Sequence, residues 1–306
     1  MPRLGSKSLV KSNVQYWMNN LLLSYGLYTN VATGETDFNG IDYSYCNPVI
    51  DHPTYNDGQV FQSAFKNWVY ESGIIVFETG IAAPIVASGV TVNGTFYDTS
   101  TTVGTYAHKI DYPNGTVIFD APLGGAPTVQ AAFSYKMTTV EMANNMNNEN
   151  IELLIETNLK DNPPQTGVIT YPQQNRQNTL PGVFIDFLSR KSLPYELGTK
   201  DPVKVFMGYF HIWTHGDMMQ DILEDILADA QRDVILGVDF NDAPHPLLSE
   251  GEINPAWTTY SDMARQSSPY YWRKIYLDIS DPKQDASLYE IERSRIAFKI
   301  KVYPNF

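Results

Sequence analysis

Among the side chains able to do chemistry, the first pattern is a histidine pair. His211 and His215 are four apart, the spacing of two metal ligands on one helix face. Position 212 is Ile, where a zinc protease keeps its glutamate base, and the alternation Val205, Met207, Tyr209 predicts a strand. At about 3.3 Å per residue a strand holds the two imidazoles roughly 13 Å apart, too far for one ion. One histidine is expected to cap the strand end and the other to pack.

The second pattern is carboxylate-rich. Asp217, Asp221, Glu224, Asp225, Asp229 and Asp233 follow one another with Arg232 as the lone base. Paired carboxylates can move protons or hold hard cations when they converge. Here Asp221, Asp225 and Asp229 repeat at four-residue steps, which on a helix makes an exposed stripe and no pocket. Like charges so placed weaken a helix slightly, so the pattern points to a surface for a partner or a channel wall, against the plainer reading of a solvated face. Asp239 and Asp242, followed by Glu250 and Glu252, approach a calcium loop. Counting from Asp239, position six is Pro244 and not Gly, and His245-Pro246 interrupts the rest, so the match to an EF-hand is weak.

No nucleophile elbow, P-loop or dinucleotide fingerprint is present. Cys46 is the only cysteine, so no internal disulfide and no cysteine-built zinc site can form, as suits a reducing compartment. No catalytic residue, metal site or cofactor is expected.

These side chains must be positioned by elements legible in the pattern. Leu9, Val10, Val14, Trp17, Met18, Leu21, Leu22 and Tyr25 predict an amphipathic helix over 8–25 stopped by Gly26. Arg3, Lys7 and Lys11 lie at its start, where cations oppose the helix dipole. They read either as a solubilising terminus or as an arm that docks on an acidic surface. Residues 48–138 read as short strands with Gly, Pro and Asn-Gly turns, including 74–77, 84–88, 90–92, 95–97 and 128–135. Asn114-Gly115 between 107–111 and 116–120 predicts a type I′ hairpin. The fold class is therefore α+β. An N-terminal helix and arm (1–47) precede a small antiparallel β-sandwich or barrel (48–138). A linker and crossing loop (139–182), Asn-rich and broken at Asn162-Pro163-Pro164, leads to an α+β region (183–306). There one long helix, 217–234, is expected to pack on an antiparallel sheet of about four strands.

The chain has 306 residues and a formal charge of −13. Residues 217–252 hold ten acids and one base, so this stretch carries −9 and the rest −4. Such acidity disfavours wrapping nucleic acid by phosphate neutralisation. No signal peptide and no membrane span are expected, since the apolar stretch 14–27 is interrupted by Gln15, Asn19, Asn20 and Ser24.

The run Ala107-His108-Lys109-Ile110-Asp111-Tyr112-Pro113-Asn114-Gly115-Thr116-Val117-Ile118-Phe119-Asp120 resembles β-hairpin segments of tailed-bacteriophage structural proteins. So do Leu180–Ile185, Pro194–Gly198 and the strand-then-helix order at 203–233, which resemble neck and tail-terminator proteins. The resemblance implies a non-enzymatic virion protein assembled in the host cytoplasm. It implies a cyclic homo-oligomer, a hexamer or dodecamer, between portal or connector and tail tube or sheath, crossed by double-stranded DNA without specific binding. Asp217, Asp221, Glu224, Asp225, Asp229, Asp233, Asp239 and Asp242 would then form an acidic channel or docking face, and Arg3, Lys7 and Lys11 a docking arm.

Two other readings stay open. Tyr97, Tyr106 and Tyr112 could make the β-rich region a carbohydrate- or receptor-binding module. Separated carboxylates could cleave glycans, although no pair singles itself out.

Overall fold

The computed structural model describes residues 5–37, 39–77, 83–101, 103–143, 169–170, 180–193, 202–284 and 291–303. It is mixed α+β and mostly sheet, and two bodies of sheet organise it.

The first is six-stranded. It contains β10 (Thr139–Ala143), β12 (Gly182–Leu193), β13 (Val203–His215), β14 (Val234–Val238), β15 (Tyr271–Gln284) and β16 (Ile291–Val302), in the order β10-β12-β13-β16-β15-β14. All neighbours are antiparallel except β10 and β12. Alternation fixes the faces. On β16, Ile296, Phe298, Ile300 and Val302 point into one core with Phe206, Phe210 and Ile212 of β13 and Ile275, Leu277 and Ile279 of β15.

Two helices cover that face, α1 (Ser6–Ser24) and α2 (Asp217–Asp229). From α1 come Val10, Val14, Trp17, Met18 and Leu22, and from α2 Leu223, Ile226 and Leu227. Polar groups tie the helices into the same layer. The Trp17 Nε1–H donates to Asp233 at 2.8 Å, and the Tyr25 hydroxyl to Asp229 at 3.1 Å. Asn13, fully buried on α1, donates to the Val238 carbonyl (2.9 Å) and accepts from the Val238 N–H (2.6 Å). The sheet is thus larger than the expected four strands and carries two helices where one is predicted. A helix's apolar stripe states that it must be buried, not against what.

The second body curls eight strands around its own core. Its path is β5 (Thr95–Asp98), β4 (Gly89–Val92), β8 (Val129–Gln130), β2 (Tyr45–Ile50), β3 (Val60–Gln62), β7 (Thr116–Phe119) and β6 (His108–Asp111). β11 (Ile169–Thr170) joins β2 in parallel. Phe61, Trp68, Phe119 and Phe133 fill the interior, with Trp68 stacked on Phe133 at 4.0 Å. β1 (Tyr28–Val31) follows α1 and pairs antiparallel with β9 (Phe133–Lys136), which precedes β10. This two-stranded ribbon carries the chain out of the helix-covered sheet and back again. Packing therefore cuts across the boundaries expected at 47, 138 and 182. α1 joins the sheet of 182–302, β1 and β2 join the β-rich region, and β10 belongs to the six-stranded sheet.

The turns also differ from expectation. At 114–115 the strands end at Asp111 and Thr116, so the loop has four residues, and only Gly115 takes positive φ. Buried Tyr112 and the fixed φ of Pro113 close the strand early. A β-carbon at Gly115 would sit 2.1 Å from the Phe65 carbonyl oxygen. The two-residue type I′ geometry occurs instead at Asn93-Gly94, where φ is 50° and 83° and Val92 pairs with Thr95. Residues 74–77 and 84–88 form no strand. Ile75 and Phe77 are exposed, and Pro84 has no N–H to give a ladder.

His108 supplies a test of the curled body. Burial holds its pKa below the ordinary 6.5, against the Tyr106 carbonyl and the charges of Asp98 and Asp120. As pH falls, the unfolded chain takes up the proton first. The corresponding stability is present in full above about pH 6.5 and is lost as pH drops towards the depressed folded value. Urea midpoints measured at about pH 7.5 and about pH 5.5 should differ, and His108→Gln should narrow that difference.

Candidate interaction surface

α2 holds the acidic residues on a rigid support. Gln220, Leu223, Ile226 and Leu227 are buried, whereas Asp217, Asp221, Asp225 and Asp229 are exposed. At 100° and 1.5 Å per residue these four carboxylates step along one side, about 6 Å apart and about 18 Å end to end. Met218, 78% exposed, and Ala228 lie on the same side. The helix has no base in its last turn. Carboxylates there meet the negative end of the dipole, so helix stability does not account for them.

The other predicted acids do different work. Glu224 accepts from Gln220 at 2.9 Å, within the helix. Asp233 is engaged by Trp17. Asp239 accepts from the Asn241 N–H (3.1 Å) and side-chain amide (2.8 Å), which closes a turn. That turn sits against an aromatic group in which Phe240 stacks on Tyr16 at 5.1 Å and lies parallel to Trp257 at 6.4 Å. Asp242 is exposed in the same turn. Glu250 pairs with Lys109 of β6, and the Gly251 carbonyl accepts from the Tyr112 N–H at 3.2 Å, so this loop fastens the curled body to the helix-covered sheet. The acids expected to form one channel or docking face are thus divided between an exposed ladder on α2 and the structural loop that follows it.

Of the three arm cations, Arg3 lies outside the described residues. Lys7 is half-exposed. Lys11 lies 5.8 Å from the Phe187 ring centre, and burial lowers its pKa, with Lys7 acting in the same direction and Asp186 opposing. Lys11 is therefore engaged with its own sheet.

The histidines fall on β13, His211 buried and His215 exposed at its end. Among the described residues no three His, Cys, Asp or Glu side chains come together as a metal site. Burial pushes the Cys46 thiol pKa up to about 12, so it stays protonated and is a poor nucleophile. Among the described residues no helix is long and apolar enough to cross a membrane.

A second charged surface appears only once the strands are assembled. The face of the six-stranded sheet opposite the helices gathers Lys191 of β12, Lys274 of β15 and Arg293, Arg295, Lys299 and Lys301 of β16. Arg295 lies 5.7 Å from the Tyr209 ring centre and Arg293 5.2 Å from that of Trp213. Register shifts at Phe187/Ser189 and Ile279/Pro282 flank the middle of this face. Between them a cleft of about 390 Å³ opens over Met207, Tyr209 and Ala297, with Leu188 on one wall and Asp278 and Lys299 on the other. Only Lys299 and Lys301 are legible as a set in sequence, through the alternation of β16.

The tyrosines of the carbohydrate reading separate. Tyr112 is buried, its hydroxyl donating to the Ala87 carbonyl at 2.5 Å. Tyr97 and Tyr106 stack on each other at 4.3 Å. A different cleft of about 260 Å³ lies between β1 and the 35–43 turn, walled by Tyr43, Phe65 and Tyr135 with Asn30, Glu35 and Asp37 at its edge. Phe65 and Tyr135 stack at 4.1 Å.

No protein family and no curated protein matches the chain.

Proposed function

We propose that this chain is a non-enzymatic structural subunit of a tailed-phage particle. In this reading it forms a homo-oligomeric ring at the neck or at the head–tail or tail-end junction, crossed by DNA. The observation that carries the proposal is the exposed carboxylate ladder Asp217, Asp221, Asp225 and Asp229, held on a helix whose opposite side is locked into the sheet. A ladder of one sign on a rigid element can line a channel and repel phosphates, which are what make proteins stick to DNA. It can equally receive a basic surface of a neighbouring subunit or virion protein. The protein works by geometry in either case, and assembly follows from a cyclic interface.

Mass photometry and negative-stain imaging of the purified chain test this directly. A six- or twelve-fold ring is expected, and a monomer at all concentrations overturns the reading. Asp221→Asn/Asp225→Asn/Asp229→Asn should impair ring assembly or DNA passage while leaving the urea midpoint unchanged or slightly raised, since like-charge repulsion along the helix is relieved. Unimpaired assembly together with unimpaired passage of DNA in that variant would sink the proposed role of the ladder.

The aromatic walls Tyr43, Phe65 and Tyr135 favour a second reading, a carbohydrate- or receptor-binding role for the curled body. A glycan array separates the two, because specific retention abolished by Tyr43→Ala supports the second and is foreign to a neck ring.

A further inference from the structure

We propose that the cation-rich face of the six-stranded sheet, where Lys191, Lys274 and Lys299 are exposed, is the docking surface for the α2 helix of a second copy of this chain. This rests on the ring reading above and says which two surfaces make the ring.

The dimensions agree. From β12 to β15 the face is three strand spacings wide, about 14 Å at roughly 4.8 Å each, enough to seat a helix about 10–12 Å across. The register shifts on both outer strands of this group and the small Ala297 hollow its middle. The pitch agrees as well. Carboxylates on α2 recur every 6 Å or so, and alternate residues of β16 every ~6.6 Å. Asp217 to Asp229 spans about 18 Å, and Arg295 to Lys301 about 20 Å. Acids of one ladder can therefore face Lys299 and Lys301 with little accumulated mismatch, and with flanking Lys274 and Lys191 in reach. Apolar groups match in the same way. Met218 stands among the carboxylates, and Leu188, 58% exposed, borders the cleft over Met207.

The charges match in sign within a chain of net −13. The sheet face also carries Asp278 opposite Lys299 and Asp186 opposite Tyr209, but the six cations outnumber them, so this face and the acidic helix across the same sheet are patches of opposite sign pointing in different directions. Such a contact is heterologous: it joins the helix of one subunit to the sheet of the next and closes into a ring when the rotation permits.

Charge reversal of each side tests this in full-length protein. Lys274→Glu/Lys299→Glu changes two exposed side chains of the sheet face, and Asp221→Lys/Asp225→Lys two of the helix ladder. Each variant alone is expected to lose the ring species at least ~10-fold by mass photometry, with unchanged circular dichroism. Mixed in equal amounts they should restore rings of even number, because every reversed patch then meets its complement. Raising salt from about 0.1 to about 1 M should dissociate wild-type rings, as screening shortens from roughly 10 to 3 Å. If wild type assembles and both variants assemble equally well, the interface lies elsewhere and this proposal falls while the ring reading stands. Folded variants that fail to complement each other also overturn it. A monomeric wild type removes the ring reading itself. Retention of double-stranded DNA at physiological salt by wild type, lost in Lys274→Glu/Lys299→Glu, would make the face a phosphate surface and overturn the proposal.

Discussion

Asn13→Ala should destabilise the protein by about 2–5 kcal/mol, read as a lower urea midpoint at constant slope. Among the described residues β14 is an edge of its sheet, and at Val238 the outward N–H and carbonyl meet no further strand. The Asn13 carboxamide takes that place, donating at 2.9 Å and accepting at 2.6 Å as another peptide group would. Its oxygen also accepts from the Tyr260 hydroxyl at 3.0 Å, which reaches the Leu236 carbonyl as well. Asn13 and Val238 are fully buried, and burial raises the Tyr260 pKa. Alanine orphans both backbone groups of Val238, each at about 1–3 kcal/mol. Leucine fills the volume and leaves the same orphans, so Asn13→Leu should be almost as harmful. Tyr260→Phe removes a hydroxyl that bonds Asn13, which keeps the Val238 N–H, and the Leu236 carbonyl, and should cost about 1–3 kcal/mol. Midpoints of Asn13→Ala and Asn13→Leu within error of wild type would show that α1 is not held by this amide.

Gly208→Ala is the second large effect, about 3 kcal/mol or more. An alanine elsewhere in a strand is favoured over glycine by roughly 0.5–1 kcal/mol, so the sign itself is diagnostic. At Gly208 the new β-carbon would lie 1.9 Å from the Asp186 carbonyl oxygen and 2.5 Å from the end of the Phe298 ring. The ring can move; the carbonyl belongs to β12 next to its register shift and cannot move without breaking ladder bonds. Phe298→Leu in the Gly208→Ala background should therefore recover little. A full recovery in thermal or urea unfolding would mean that the ring was the obstacle.

What was legible in the sequence follows from how local each signal is. The alternation Val205, Met207, Tyr209 and the apolar spacing of Leu9 to Tyr25 come from neighbours two to four residues apart, and the strand and the helix they predict are both present. The Asn-Gly rule is local too, yet it applies at 93–94 and not at 114–115, because Tyr112 is captured by the core and a β-carbon at Gly115 is blocked by the Phe65 carbonyl. α1 was legible as a helix, but its partner sheet begins more than a hundred residues later. The parallel pairing of β10 with β12 has no short-range signature at all. The acidic ladder is contiguous in sequence and stood out. The cationic face is assembled from separate strands, with Lys274 and Lys299 brought together only by register, and a scan along the chain dilutes it in an acidic average.

The β1–β9 ribbon has a consequence for the order in which this protein is made. α1 leaves the ribosome before the strands it packs on, yet the sheet it covers is completed by β16, which lies between β13 and β15. Until β16 has been synthesised, α1 has no full surface to bury its apolar side, while the curled body, whose path from β2 to β8 is contiguous apart from the short added β11, can close early. Nascent chains should thus pass through a stage with one body folded and the other open at its centre. Shortening the chain by removing β16 would take away a central strand and expose two long edges at once. The early-made helix and the late-made strand are, in this sense, a proofreading pair: only a chain that carries both can hide either.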